Sequence, residues 1–257
     1  MENIFDTHAH YDDEAFHEDR DSLIPSLKEK GVVGVVNCAV DLLSSSKTLA
    51  LSEKYDFFYA ALGIHPQEAG SERKGDLDLI AELLESEKKA VAVGEIGLDY
   101  HYDDGAPRET QIDLLSRQLA IAKDLDLPVI IHDRDAHEDT LTLLRKYRPK
   151  GVVHCFSGSA EMAQEVIKLG LYIGLGGAVT FKNAKKPVEV AMSIPVSSLL
   201  LETDAPYMTP VPFRGKRNES AYIEHTAMKI AEVRRMDAQE LVNITTENAK
   251  AFFRINP

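Results

Sequence analysis

The chain has 257 residues, of which 44% are hydrophobic and 28% are charged, and its formal net charge is −13 at pH 7. The length fits one large α/β domain, and the negative charge excludes a broad basic surface for wrapping duplex DNA or binding an anionic membrane. It does not exclude an anionic substrate, because bound metal ions can supply local positive charge.

The chain carries none of the usual signals for export or membrane insertion. No run of about 18 apolar residues occurs, which predicts no membrane span. Residues 1–6 lack a basic region followed by an apolar run, so we predict no signal peptide. With only two cysteines, Cys38 and Cys155, a disulfide framework is excluded, and we expect both to be packing residues. We therefore expect a cytoplasmic protein with a single domain over residues 1–257.

Short β-branched runs alternate with amphipathic helical stretches along the chain. The eight predicted strands are, in chain order, residues 4–7, 32–37, 57–62, 90–93, 128–131, 151–153, 172–174 and 198–201. Helix-like sequence follows each of them, an alternation typical of a parallel sheet. Because no glycine-rich turn follows the first strand, we predict a closed (β/α)8 TIM barrel rather than an open sheet. The active site of such a barrel lies at the carboxyl ends of its strands.

Residues that commonly begin helices stand in places that agree with this alternation. Ser22 is a predicted N-cap, with Pro25 in the first turn of the helix that follows. Pro107 is predicted to open a long helix, and Asp237 to begin a short extra helix near the C-terminus.

Ionisable residues follow six of the eight predicted strands, where a barrel has its active site. His8 and His10 share one face of an extended chain, so both can reach one metal ion. The other residues in equivalent places are His65, Glu95, His132, His154, Glu202 and Asp204. A buried charged group is costly unless it is paired or bound to a metal, so we interpret the repeated position as two metal ions that share ligands.

These motifs resemble those of the TatD family of metal-dependent hydrolases, within the wider amidohydrolase-like barrels. In order and at family-like spacing, the chain carries DTHAH, GIHP, GEIGLDY, HCFSG and ETDAPY. They span residues 6–207, and residues 214–219 extend the match. One position departs from a pattern sometimes found in the family, G-x-H-P-H, because Gln67 stands in place of the final histidine.

The resemblance implies two divalent metal ions held by six side chains: His8, His10, Glu95, His132, His154 and Asp204. It implies that Glu95 bridges the two ions, that His132 and His154 belong to the second, and that Asp204 is the catalytic proton acceptor. Two divalent cations against two carboxylates and four neutral imidazoles leave a local charge of about +2. Zn, Mn, Ni, Fe and Mg all suit such a mixture to differing degrees.

Three residues in loops after strands are candidates for contact with the substrate. His65 is predicted to support a metal ligand or to face a phosphate group, with a hydrogen-bonded structural histidine as the alternative. Arg134 and Arg214 are predicted to contact a phosphate group, with surface salt bridges as the alternative.

Other ionisable residues near the ligands are predicted to have supporting roles. We expect Glu202 to point inward and orient a ligand rather than bind a metal ion directly. Asp6 is expected to orient a ligand or fill a layer of the barrel, and Asp99 and Tyr100 are expected to lie in a turn.

The sequence thus predicts a deoxyribonuclease or phosphodiesterase that acts on single strands or ends, with nucleic acid as its substrate rather than as a stable duplex partner. Two other functions remain open: an ester or amide hydrolase, such as an aminoacyl-tRNA deacylase, and a non-catalytic metal-binding barrel. The complete ligand set argues against the last, because without catalysis six costly groups would not be needed.

Overall fold

The computed structural model describes residues 1–255 and contains a ring of eight parallel strands, each paired with the next in the sequence. The strands are β1 Ile4–Ala9, β2 Val32–Cys38, β3 Phe58–Leu62, β4 Ala90–Asp99, β5 Val129–Arg134, β6 Gly151–Val153, β7 Tyr172–Leu175 and β8 Leu199–Leu201. The predicted (β/α)8 TIM barrel is confirmed, and each predicted strand is present.

Strands β4 and β5 extend further than predicted. Backbone pairing continues past the first ionisable residue of each strand, as far as the pair Asp99 and Arg134. The sequence prediction ended each strand where the apolar run ended, but backbone hydrogen bonds do not depend on side-chain polarity. Ionisable side chains such as those of His132, Asp99 and Arg134 can therefore stand on paired strand at the mouth of the barrel.

The helices surround the barrel. They are α1 Arg20–Glu29, α2 Leu42–Lys54, α3 Asp76–Ser86, α4 Arg108–Asp124, α5 His137–Tyr147, α6 Ala160–Lys168, α7 Lys185–Ser193, α8 Ile223–Arg234 and α9 Ala238–Phe253. Two helix predictions were wrong: α1 begins before Ser22, which places Pro25 inside the helix, and α9 is 16 residues long rather than short. Within residues 1–255, no helix is long and apolar enough to cross a membrane.

The barrel closes between β1 and β8 through the side chain of Asp6. The Asp6 carboxylate accepts hydrogen bonds from the backbone N–H of Thr203 (3.0 Å), the hydroxyl of Thr203 (2.6 Å) and the hydroxyl of Ser220 (2.7 Å). One backbone bond beside it joins the N–H of Asp204 to the carbonyl oxygen of His8 (2.9 Å). Asp6 therefore fastens together the two segments that carry His8 and Asp204.

Two phenylalanines of α9 close the amino end of the barrel. Phe252 and Phe253 belong to an apolar cluster that includes residues from seven of the eight strands, which identifies it as the barrel interior. Phe253 stacks on Phe5 with ring centroids 6.2 Å apart, and Phe252 lies 5.1 Å from Tyr172. Because Phe5 and Tyr172 stand at the amino ends of β1 and β7, α9 seals that end and leaves the carboxyl ends of the strands accessible.

Candidate metal centre

A cavity of about 550 Å³ opens at the carboxyl ends of the strands. Ionisable side chains lie deep in it: His10, His65, Glu95, Asp99, His132, His154 and Asp204. His8 lies behind them with no exposed surface. The structure therefore brings all six sequence-predicted metal ligands to one place, because the carboxyl ends of parallel strands meet at one face of a barrel.

Glu95 stands at the centre of this cluster. Its Oε1 atom lies 2.8 Å from Nδ1 of His132 and 2.7 Å from Nε2 of His154. Its Oε2 atom lies 3.4 Å from Nε2 of both His8 and His10. Burial raises the pKa of Glu95, but the surrounding imidazoles lower this pKa by more, to well below its usual value. Glu95 is therefore a carboxylate shared by histidines from three other strands or strand ends.

Asp204 follows β8, and its carboxylate faces His8 and His10, which also contact Glu95. Its Oδ1 atom lies 3.7 Å from Nε2 of His8 and 3.5 Å from Nε2 of His10. Burial raises the pKa of Asp204, whereas the imidazoles of His10, His8 and His154 lower it to below its ordinary value. The side chain is therefore an ionised carboxylate that can accept a proton near neutral pH.

Cys38, at the end of β2, contacts His8 of β1 and His10, the residue that follows β1. Its backbone carbonyl oxygen lies 2.8 Å from Nδ1 of His10, and its Sγ atom lies 3.4 Å from Nδ1 of His8. An Nδ1–H group donating to each acceptor leaves Nε2 of each ring with a free lone pair, and the two Nε2 atoms are 3.0 Å apart. Cys38 is buried as predicted, but it also contacts ligands, which the sequence analysis missed.

The prediction that Asp99 lies in a turn was wrong. Asp99 is the last residue of β4, and its Oδ2 atom lies 3.1 Å from Nε2 of His132. Burial lowers the pKa of His132, but Asp99 and Glu95 raise it to about 9. Gln111 of α4 fixes Asp99 by accepting a hydrogen bond from its backbone N–H at 2.8 Å. A carboxylate behind a histidine is a common way to orient a metal ligand.

We expect Asp99→Asn to weaken metal binding by about 10- to 100-fold, because the amide is a poorer acceptor for the His132 Nε2–H group. Competition with a chelator of known affinity measures the change. The matched control is Asp133→Asn, since Asp133 lies next to His132 on β5 but contacts His137 at 2.7 Å instead. Equal metal affinities for the two variants would contradict the role of Asp99.

His65 lies deeper than a residue that only contacts substrate. It follows β3, is 7% exposed, and its Nε2 atom is 3.5 Å from Oε1 of Glu95. Its Nδ1 atom accepts the backbone N–H of Gln67 at 3.2 Å, which leaves Nε2 directed at the cluster. The substrate contact of His65 stays a prediction, and its position also suits a metal ligand.

Glu202 points into the barrel, next to His154. Its Oε1 atom accepts a hydrogen bond from the backbone N–H of Cys155, and burial raises the pKa of Glu202 to about 8. Its other oxygen and Nδ1 of His154 have no hydrogen-bond partner among the described residues. Gly174 leaves room for the carboxyl group, since a Cβ atom there would lie 2.4 Å from Oε2.

The donor set fits divalent cations. Within residues 1–255, three groups of side chains have ligand atoms within 4.8 Å of one another: His8–His10–Glu95, His8–His154–Asp204 and His65–Glu95–His132. These groups overlap through His8 and Glu95, and all consist of imidazoles and carboxylates, which bind Zn²⁺ and other first-row metal ions. The arrangement suits more than one ion with shared ligands.

The two arginines predicted to contact substrate lie in different places. Arg134 lines the cavity and donates a hydrogen bond from Nη1 to the hydroxyl of Tyr102 at 3.1 Å. Arg214 is not among the described residues that line it: its guanidinium lies 3.8 Å from the ring centroid of Phe181 and donates to the carbonyl of Thr209. The structure brings Arg134, but not Arg214, to the candidate site.

Comparison with known proteins gives a uniform result. Residues 5–254 match the profile of the family described as TatD related DNase. The chain is 47% identical to the uncharacterized metal-dependent hydrolase YabD of Bacillus subtilis, over 98% of this chain and 100% of the relative. It is 35% identical to the 3'-5' ssDNA/RNA exonuclease TatD of Pectobacterium parmentieri, over 98% and 100%. Its fold matches the crystal structure of YjjV, a TatD homolog from Escherichia coli, with a TM-score of 0.93, 37% identity and 99% coverage of both chains.

Proposed function

The chain belongs to the TatD related DNase family, whose relatives include metal-dependent hydrolases, and from this premise we propose that it hydrolyses phosphodiester bonds at the ends of single-stranded nucleic acid. The observation that carries the proposal is the Glu95-centred cluster of imidazoles and carboxylates at the open end of the barrel. The relative from Pectobacterium parmentieri, named as a single-strand exonuclease, supports this choice of substrate.

Six side chains would hold two divalent ions: His8, His10, Glu95, His132, His154 and Asp204. Such a pair of ions lowers the pKa of a bound water molecule and polarises the scissile P–O bond. Asp204 takes a proton from the attacking water, because its carboxylate is ionised and faces the cluster. The water oxygen bonds to phosphorus, the P–O bond to the leaving nucleoside breaks, and the proton held by Asp204 passes to the leaving oxygen.

The charges around the cavity favour contact with only one or two phosphates of the substrate. Asp12, Asp13 and Glu68 line it, whereas Arg134 is the one lysine or arginine among its described lining residues. The charge count made from the sequence did not include Asp99, whose carboxylate lowers the net charge left by two divalent ions from about +2 to about +1. Electrostatic attraction is therefore confined to the phosphate at the metal centre and at most one neighbour.

We expect kcat/KM for a short single-stranded oligonucleotide to fall with salt concentration at a log–log slope of about −1 to −2. Each phosphate neutralised on a single strand contributes about −0.7, so Arg134→Ala is expected to make the slope shallower by about this amount. The same slope is measured for Arg214→Ala, because the predicted contact of Arg214 with a phosphate would make that slope shallower in the same way. A slope near −8, or tight binding of long duplex without metal, would show that a large basic surface had been overlooked.

The direct test is a set of substrates assayed with each candidate metal ion in excess. We expect cleavage of single-stranded DNA or RNA, less cleavage of duplex DNA, and little hydrolysis of aminoacyl esters. Brisk deacylation with no cleavage of any phosphodiester would replace the proposal with an ester hydrolase, such as an aminoacyl-tRNA deacylase. No turnover of any substrate with metal bound would favour a metal-binding barrel without catalysis.

We also propose a cytoplasmic location and a single domain over residues 1–257. Cys38 and Cys155 are free thiols, which suits a reducing compartment.

A further inference from the structure

Two tyrosine rings stand exposed at the mouth of the cavity. Tyr102 follows β4 and is 47% exposed, and Tyr207 follows β8 and is 55% exposed. Both line the cavity that holds the histidine cluster. Among the tyrosines and phenylalanines of residues 1–255, these two alone are exposed, although a large aromatic side chain gains most free energy from burial. Both exceptions to burial therefore occur at the candidate active site.

The hydroxyl groups of both rings are already fixed. Tyr207 donates its hydroxyl to Oδ2 of Asp13 at 3.0 Å, and the hydroxyl of Tyr102 accepts from Arg134 at 3.1 Å. The backbone N–H of Tyr207 also donates to the carbonyl oxygen of Asp204 at 2.7 Å. These bonds orient the rings before a ligand binds, which lowers the entropy that binding would cost.

The two rings lie on opposite sides of the barrel mouth. Tyr207 belongs to the loop after β8, close to Asp204. Tyr102 lies under the guanidinium of Arg134, and Arg134 is the last residue of β5, two residues beyond His132. In a ring of eight strands in sequence order, β8 and the β4–β5 pair are well separated. A substrate that passes over the metal centre can therefore contact one ring on each side of it.

We propose that Tyr102 and Tyr207 are stacking positions for the two nucleobases that flank the scissile phosphodiester. This inference rests on the proposed function and names what the site recognises: unpaired bases rather than a run of phosphates. The acidic lining limits electrostatic attraction to one or two phosphates, so any further affinity must come from groups other than the phosphates. Stacking on an aromatic ring is available only to unpaired bases and tolerates any sequence, since every base has a π-face.

The test uses thymidylyl-thymidine and two analogues in which one or the other base is replaced by an abasic sugar. For the unmodified protein, loss of either base is expected to lower kcat/KM by about 5- to 100-fold. Tyr102→Ala is expected to make the protein insensitive to loss of one base, and Tyr207→Ala to loss of the other. Tyr102→Phe and Tyr207→Phe, which keep the ring, should retain most of the preference.

Met192→Ala is the matched control, because Met192 is a large apolar residue of α7 that is 61% exposed and not among the described lining residues.

A second measurement does not need turnover: calorimetric binding of the same three compounds to Asp204→Asn with metal bound. Binding that depends on the bases and is lost in the Tyr→Ala variants supports the stacking positions, even if no phosphodiester is cleaved. Absence of cleavage would contradict only the proposed function. Equal binding of the three compounds, or equal losses in the Phe and Ala variants, would overturn the inference.

Discussion

Replacing Asp204 by asparagine is expected to lower kcat by about 10²–10⁴ or more, because the change removes the proton acceptor and weakens a metal ligand. The fold should persist, since the backbone N–H of Asp204, which bonds to the carbonyl oxygen of His8, is unchanged. The measurement is kcat at saturating substrate and excess metal, with circular dichroism to verify folding.

Asp135→Asn is a suitable control for this variant, because Asp135 follows β5 but is exposed and contacts His101 instead of the cluster. It is expected to keep the kcat of the unmodified protein. Near-normal turnover of Asp204→Asn would exclude Asp204 as the base and direct attention to the other carboxylates of the cavity.

Replacing Glu95 by glutamine is expected to affect both stability and metal content. The carboxylate is 3% exposed and lies within 3.4 Å of four histidines, so its loss removes the negative charge at the centre of the cluster. Removing one partner of a buried ionic cluster typically costs about 3–5 kcal/mol of unfolding free energy. Because the native pKa of Glu95 lies well below the ordinary value of 4.5, this stabilisation is present at neutral pH and is lost as the pH falls through the native pKa.

Urea unfolding of the metal-free protein at neutral pH measures this effect, and elemental analysis measures the ions retained. Glu202→Gln is the matched control: it is also a buried glutamate, but burial raises its pKa to about 8, so it is mainly uncharged at pH 7. We expect a much smaller loss of stability for Glu202→Gln. Equal stability and full metal content in Glu95→Gln would contradict the bridging position of Glu95.

The cluster of candidate ligands could be predicted because a parallel barrel brings the ends of its strands together. Once the eight apolar runs were identified, residues such as Glu95 and His154 had to meet at one face, however far apart they lie in the sequence. The precise ring orientations could not be predicted, because they depend on which neighbour each Nδ1 atom faces.

The contacts behind the clustered side chains were harder to predict than the cluster itself. Asp99 was missed because the strand was assumed to end at its first ionisable residue, whereas β4 continues and carries Asp99 to His132. Cys38 was treated as packing only, because its contact with His8 depends on the relative rotation of β1 and β2. Arg214 lies in a loop, and loop paths are fixed by local contacts, such as its stacking on Phe181, that leave no periodic signal in the sequence.

The closure of the barrel by α9 has a consequence for how the protein is made. Tyr59 of β3 and Phe253 of α9 both stack on Phe5, the second residue of β1, so the cover of the first strand is complete only after α9 has left the ribosome. Until then the nascent barrel exposes an apolar interior at its amino end, even with all eight strands synthesised. Exposed apolar surface of this kind is where chaperones bind and where aggregation competes with folding. This apolar surface is therefore covered only after the last turn of α9 has been made and has packed against the barrel.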